Sequence, residues 1–124
     1  MKSNLLNRQV HLDFHTSGLI PNVGGQFNAN AFVTTLKEAK VESITCFARC
    51  HHGMVYYPSK VHPEAVHPNL KAKDLLGEQI SACHKAGIKA PIYSTIQWDQ
   101  RLSETHPHWC MRTETGQDIV AGWS

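Results

Sequence analysis

The order in which this chain alternates extended and helical patterning restricts its fold more than any other feature. "QVHLDFH", "SITCFARC" and "IKAPIYSTIQW" read as strands, and between them lie two amphipathic segments, "NANAFVTTLKEAK" and "LLGEQISACHKA". Strand, helix, strand, helix, strand predicts parallel pairing through right-handed crossovers. Asn28 is placed to cap the first helix, with Phe32, Leu36 and Ala39 spaced along one face. Asp74 is placed to cap the second, where Leu76, Ile80 and Cys83 align and Gly87 supplies a stop. A short helical piece at "SETHPHW", a turn at "ETGQ" and a final apolar stretch, "DIVAGWS", complete the chain. No linker or repeat array divides residues 1–124, which read as a portion of one α/β domain.

The 124 residues are about half of what a complete (β/α)8 barrel needs. Hydrophobic residues at 41% and charged residues at 18% describe an ordinary globular chain, and a net charge of +2 is too small to argue for nucleic acid or an anionic membrane surface. "MKSNLLNRQV" lacks the apolar core of a signal peptide, and no run approaches the roughly 18 apolar residues of a membrane span. The expectation is a cytoplasmic chain with no nucleic-acid or membrane partner, whose four cysteines are free thiols. Its distinctive residue is histidine, present nine times.

Parallel α/β sheets build their sites at the carboxyl ends of the strands. Those ends carry His15, then Cys50, His51 and His52, then Trp98 and Asp99. In "HLDFH" alternation puts His11, Asp13 and His15 on one strand face and Leu12 and Phe14 on the other. Two imidazoles and a carboxylate raise the question of a metal-dependent hydrolase. At about 3.3 Å per residue, however, His11 and His15 stand roughly 13 Å apart, too far for one ion, and only Asp13 with His15 and His51 stays open as a ligand set. The alternation is better read as depth: His15 at the rim, Asp13 buried beneath it and orienting it, His11 deeper still. Cys46 and Cys50, spaced C-x3-C on a strand, suit zinc poorly. His62 and His67, in the two "VHP" copies of a long connection, are expected on a surface loop. Asp99 reads as a cap, Cys83 as core, and Trp109 as a buried anchor.

"CHHGMVYYPSK" followed by "DLLGEQISACHKAGIKAPIYSTIQWD", with "HLDFHTSGLIPNVGGQFN" before them, resembles the α-L-fucosidases. The resemblance, from about Val10 to Ser124, is to glycoside hydrolase family 151 and the related hypothetical glycosyl hydrolases, which are similar to family 29. It implies a partial (β/α)8 TIM barrel, the first three βα units with parallel strands. It implies that His15, His51 and His52 contact sugar hydroxyls, with Tyr93 or Trp98 as a further sugar contact. Neutral imidazole offers one donor and one acceptor, as hydroxyls do, and an aromatic ring covers the sugar's C–H face. The family 29 pattern has an acidic residue after its His-His pair, where this chain has Gly53. The nucleophile and acid/base of such enzymes fall beyond Ser124, so no catalytic residue is assigned and the 124-residue piece is expected to be inactive alone. An isolated piece of barrel sheet, with unpaired edges, is expected to aggregate. The implied function is hydrolysis of terminal fucosyl linkages by the full-length enzyme, with a carbohydrate partner, no cofactor and no metal. A homo-oligomer is one open assembly. The alternatives left standing are the metal-dependent hydrolase and a small α/β binding module working as an obligate oligomer.

Overall fold

The computed structural model describes residues 6–119. The first five residues of "MKSNLLNRQV" and the last five of "DIVAGWS" lie outside that range. Three strands, β1 (Gln9–His11), β2 (Ser43–Arg49) and β3 (Ile92–Ser94), form a parallel sheet in the order β1-β2-β3. Between them run α1 (Ala29–Glu38) and α2 (Leu75–Lys85), and α3 (Gln100–Thr105) follows β3. The expected α/β alternation and parallel pairing are present.

Both crossover helices start where the sequence places a cap. The Asn28 side chain accepts from the Ala31 amide at 2.9 Å and Asp74 from the Gly77 amide at 2.9 Å, each satisfying a donor that the first turn cannot. Gly87, at φ +74°, takes the left-handed conformation that ends α2 cheaply. Ala39 is itself the C-cap of α1 and exposed, so the apolar face of that helix rests on Leu36 and Phe32.

Residues of β2 alternate between two environments. Ile44 and Cys46 point to the helices and form a core with Leu36, Leu76, Cys83 and Ile88, joined by Val10 and Ala48. Fully burying aliphatic side chains of this kind contributes roughly 1.5–3 kcal/mol each. Burial, with the nearby Cys83 thiol adding to it, pushes the Cys46 thiol up to about 11 and leaves it inert. Phe47 and Arg49 point the other way. The register slips between Phe47 and Arg49, and the strand turns as it delivers Arg49 and Cys50 to the sheet's carboxyl end.

Two expected strands are shorter than their patterns. β1 ends at His11 and β3 at Ser94, because each finds a partner only over the residues that face β2. Alternation nonetheless continues past β1: His11 and His15 both lie against Phe47, while Phe14 packs on Tyr56 with ring centroids 4.9 Å apart. "SETHPHW" resolves into α3, which starts earlier than expected at Gln100, and a single 3-10 turn at Pro107–Trp109. The turn at "ETGQ" is present, closed by the Arg112–Asp118 bridge.

The long connection after β2 is ordered by two side chains. Tyr56 is buried, and its hydroxyl accepts from the Thr16 amide at 3.2 Å, pairs with Thr16 Oγ1 at 2.6 Å and donates to the Phe14 carbonyl at 3.0 Å. His67 is buried, not on the surface as expected. Its Nε2 donates to the Ser17 carbonyl at 3.0 Å and its Nδ1 accepts from the Asn69 amide at 3.1 Å. Burial holds its pKa below the usual histidine value, in keeping with a neutral ring that both donates and accepts. Tyr56 and His67 thus tie this connection to the loop that carries His15. Tyr56→Phe orphans the Thr16 amide and the Phe14 carbonyl, so a loss of about 1–3 kcal/mol is expected. It is measured as a lowered thermal midpoint of the complete natural protein, and an unchanged midpoint would contradict this account of the loop.

Candidate functional site

The carboxyl ends of β1 and β2 bring three histidines together. His15 and His51 are stacked, centroids 3.8 Å apart and rings 7° from parallel. The His51 amide donates to His15 Nδ1 at 3.1 Å, so the His15 proton must sit on Nε2, which donates to Asp13 Oδ1 at 3.0 Å. Asp13 orients His15 as expected. Its side chain is 70% exposed, however, which corrects the expectation of burial: the chain leaves the sheet after His11 and carries Asp13 outward. Desolvation lowers the pKa of His15, and Asp13 opposes this only in part. Desolvation also lowers that of His51, with His15 and His52 adding to it. Both rings are therefore neutral hydrogen-bonding groups near neutral pH.

Beneath them lies an aromatic floor drawn from all three strands. Phe47 of β2 stacks on Tyr93 of β3 at 4.3 Å, and the edges of His11 and His15 meet Phe47 at 5.3 and 5.0 Å. Tyr93 lies 5.8 Å from His15, ring to ring. Four of the five residues singled out in the sequence, His15, His51, His52 and Tyr93, thus belong to one connected group.

The fifth, Trp98, stands in a different place. It lines a cavity of about 210 Å³ together with Leu102, Trp109 and Met111. Trp98 and Trp109 are both largely exposed, so Trp109 is not the buried anchor expected; it stacks instead on His106 at 4.2 Å. Asp99 lines the same cavity and joins it to the histidine loop.

That joint is the part that sequence reasoning missed. His52 is buried; its Nε2 lies 3.2 Å from His51 Nε2 and its Nδ1 lies 2.7 Å from Gln100 Oε1. The Gln100 amide N–H donates to the His51 carbonyl at 2.8 Å, so α3 grips the pair through backbone and side chain. Asp99 caps α3 by accepting from the Leu102 amide at 2.8 Å, as expected of a cap, and also pairs with Arg49. The Arg49 Nε is buried and has no hydrogen-bond partner among the described residues. Gly53 closes the loop at φ +80°, where an added Cβ would lie 2.5 Å from Asp99 Oδ1. The available signal was the helical spacing of Gln100 and Glu104 right after a capping Asp.

Among the described residues no three His, Cys, Asp or Glu side chains form a metal-holding group, and no helix is long and apolar enough to cross a membrane.

Residues 28–122 match the family described as hypothetical glycosyl hydrolase 6. No curated protein sequence matches the chain. Among solved structures, the chain is similar to alpha-L-fucosidase isoenzyme 2 from Paenibacillus thiaminolyticus, with 45% identity over 90% of this chain and a TM-score of 0.82. The chain spans only 17% of that protein's length. It is also similar to a fucosyltransferase mutant of the alpha-L-fucosidase AlfC, at 27% identity and TM-score 0.52, covering 67% of this chain and 25% of that one. A family 29 fucosidase from Ruminococcus gnavus in complex with fucose shares the fold at 20% identity and TM-score 0.59, over 93% of this chain and 26% of its own.

Proposed function

This chain belongs to the hypothetical glycosyl hydrolase 6 family, and from that premise we propose that it forms the sugar-recognising wall of an α-L-fucosidase built on a (β/α)8 barrel. The observation that carries this reading is the His15–His51 stack with His52 beside it, at the carboxyl ends of adjacent parallel strands. The three parallel strands pair in sequence order, as the first three strands of such a barrel would. In this reading the neutral histidines exchange hydrogen bonds with sugar hydroxyls and Tyr93 supports the sugar's apolar face; Trp98 faces a neighbouring part of the substrate.

The chemistry itself is assigned elsewhere. A retaining glycosidase needs two carboxyl groups about 5–5.5 Å apart. Asp13 is committed to His15, and Asp99 to Arg49 and the α3 cap. The nucleophile and acid/base are therefore proposed to lie outside these 124 residues, and the piece alone is proposed to be inactive. The test is hydrolysis of 4-nitrophenyl α-L-fucoside by the complete natural protein, set against the matching β-D-galactoside. Turnover of the fucoside is expected; turnover of neither, with the protein folded, overturns the reading.

A further inference from the structure

A hydrogen-bond chain runs from the histidine pair to the protein surface. His51 Nε2 meets His52 Nε2 at 3.2 Å, His52 Nδ1 meets Gln100 Oε1 at 2.7 Å, and Gln100 Nε2 meets Glu104 Oε1 at 3.0 Å. Chemistry fixes the direction of every link from its outer end. An ionised carboxylate only accepts, so the Gln100 amide must turn its NH2 toward Glu104 and its carbonyl oxygen toward His52. A carbonyl oxygen also only accepts, so the proton of His52 is on Nδ1. With a single proton on the His52 ring, its Nε2 is bare, and the bond between the rings requires the proton of His51 on Nε2. The other nitrogen of His51, Nδ1, then carries no proton.

We propose that Gln100 and Glu104 are positioning residues: the Glu104 carboxylate, acting through the Gln100 amide, sets the tautomers of His52 and His51 and so decides which nitrogen of each ring carries the proton. The effect on turnover rests on the fucosidase reading; the tautomers do not. Two features mark the relay as a built arrangement. Gln100 holds the pair twice, by side chain and by backbone. It is also the first residue of α3, placed by the Asp99 cap, so its amide is aimed by fixed backbone.

Charge reversal at the exposed end gives the test. In Glu104→Lys the new ammonium only donates, so the Gln100 amide turns over and presents NH2 to His52. His52 must then carry its proton on Nε2, and His51 on Nδ1. A lysine in the last turn of α3 suits the helix, so the fold persists. Histidine-selective 15N spectra of the complete natural protein read the protonated nitrogen of each ring directly. Expected are His52 Nδ1–H with His51 Nε2–H in the wild type and the reverse pair in Glu104→Lys. The same variant should lower kcat/KM on 4-nitrophenyl α-L-fucoside by about tenfold or more. Glu104→Gln, which can still offer a carbonyl oxygen, should restore the wild-type tautomers and most of the activity. Reversed protons in the wild type, or tautomers unmoved in Glu104→Lys, overturn the proposal. Swapped tautomers in a protein that never turned over the fucoside would uphold the relay and overturn only the fucosidase reading.

Discussion

Replacing His51 or His52 by alanine in the complete natural protein is expected to lower kcat/KM on an aryl α-L-fucoside by about tenfold or more, roughly 1.4 kcal/mol of transition-state binding. The two losses have different routes. Removing the His51 ring strips His15 of the partner it stacks on and removes a proposed hydroxyl contact, so the effect falls on ligand binding. Removing the His52 ring empties a buried position and leaves the Gln100 carbonyl oxygen without its donor, so the second loop loosens from α3. Hence His51→Ala should act mainly on catalytic efficiency, and His52→Ala should also lower the thermal midpoint. Steady-state kinetics with paired melting curves separate them, and wild-type kinetics in both variants would remove these residues from the proposed sugar contacts.

Gly53→Ala adds one methyl group and is expected to cost about 2–4 kcal/mol, combining a left-handed backbone penalty with overpacking. At φ +80° the new Cβ would stand 2.5 Å from Asp99 Oδ1 and 2.7 Å from the Arg101 Cβ. Neither neighbour yields freely. Asp99 is held at once by the α3 amide it caps and by Arg49, and Arg101 belongs to α3 itself. Relief therefore requires α3 to move away from the loop, and Gln100 moves with it. A lower thermal midpoint and a fall in kcat/KM should appear together; a variant as stable as the wild type would show that the contact between loop and helix is soft.

What could be read from the sequence was local or periodic. Asn28, Asp74, Asp99 and Gly87 act within a few residues of themselves, and all four take the places their chemistry predicts. The alternation in "SITCFARC" likewise separates Ile44 and Cys46 from Phe47 because side-chain direction follows from strand geometry alone. The errors were all tertiary. Whether β1 and β3 extend depends on how much of β2 they meet, and a run of suitable residues does not contain that information. His62 and His67 sit in identical "VHP" triplets, yet one is exposed beside Glu64 and the other is buried on Ser17. Nothing within the triplet distinguishes them; the loop folded over His67 does. Trp109 and Asp13 failed for the same reason. In the site, the histidines declared themselves by residue type, while Gln100 and Glu104 look like any polar residues of a surface helix until the first is seen to touch His52.

Strand order also fixes the sequence in which this site comes into being. Among the described residues each strand pairs with its neighbour along the chain, so these two pairings are available as soon as successive strands have been made. As a nascent polypeptide leaves the ribosome, the strand ends that carry His15 and His51 are made some fifty residues before α3. Gln100, which holds both His51 and His52, is the last of these groups to be made. The expected order is a histidine pair assembled early and locked late, which pulsed cross-linking of stalled chains of increasing length would test step by step.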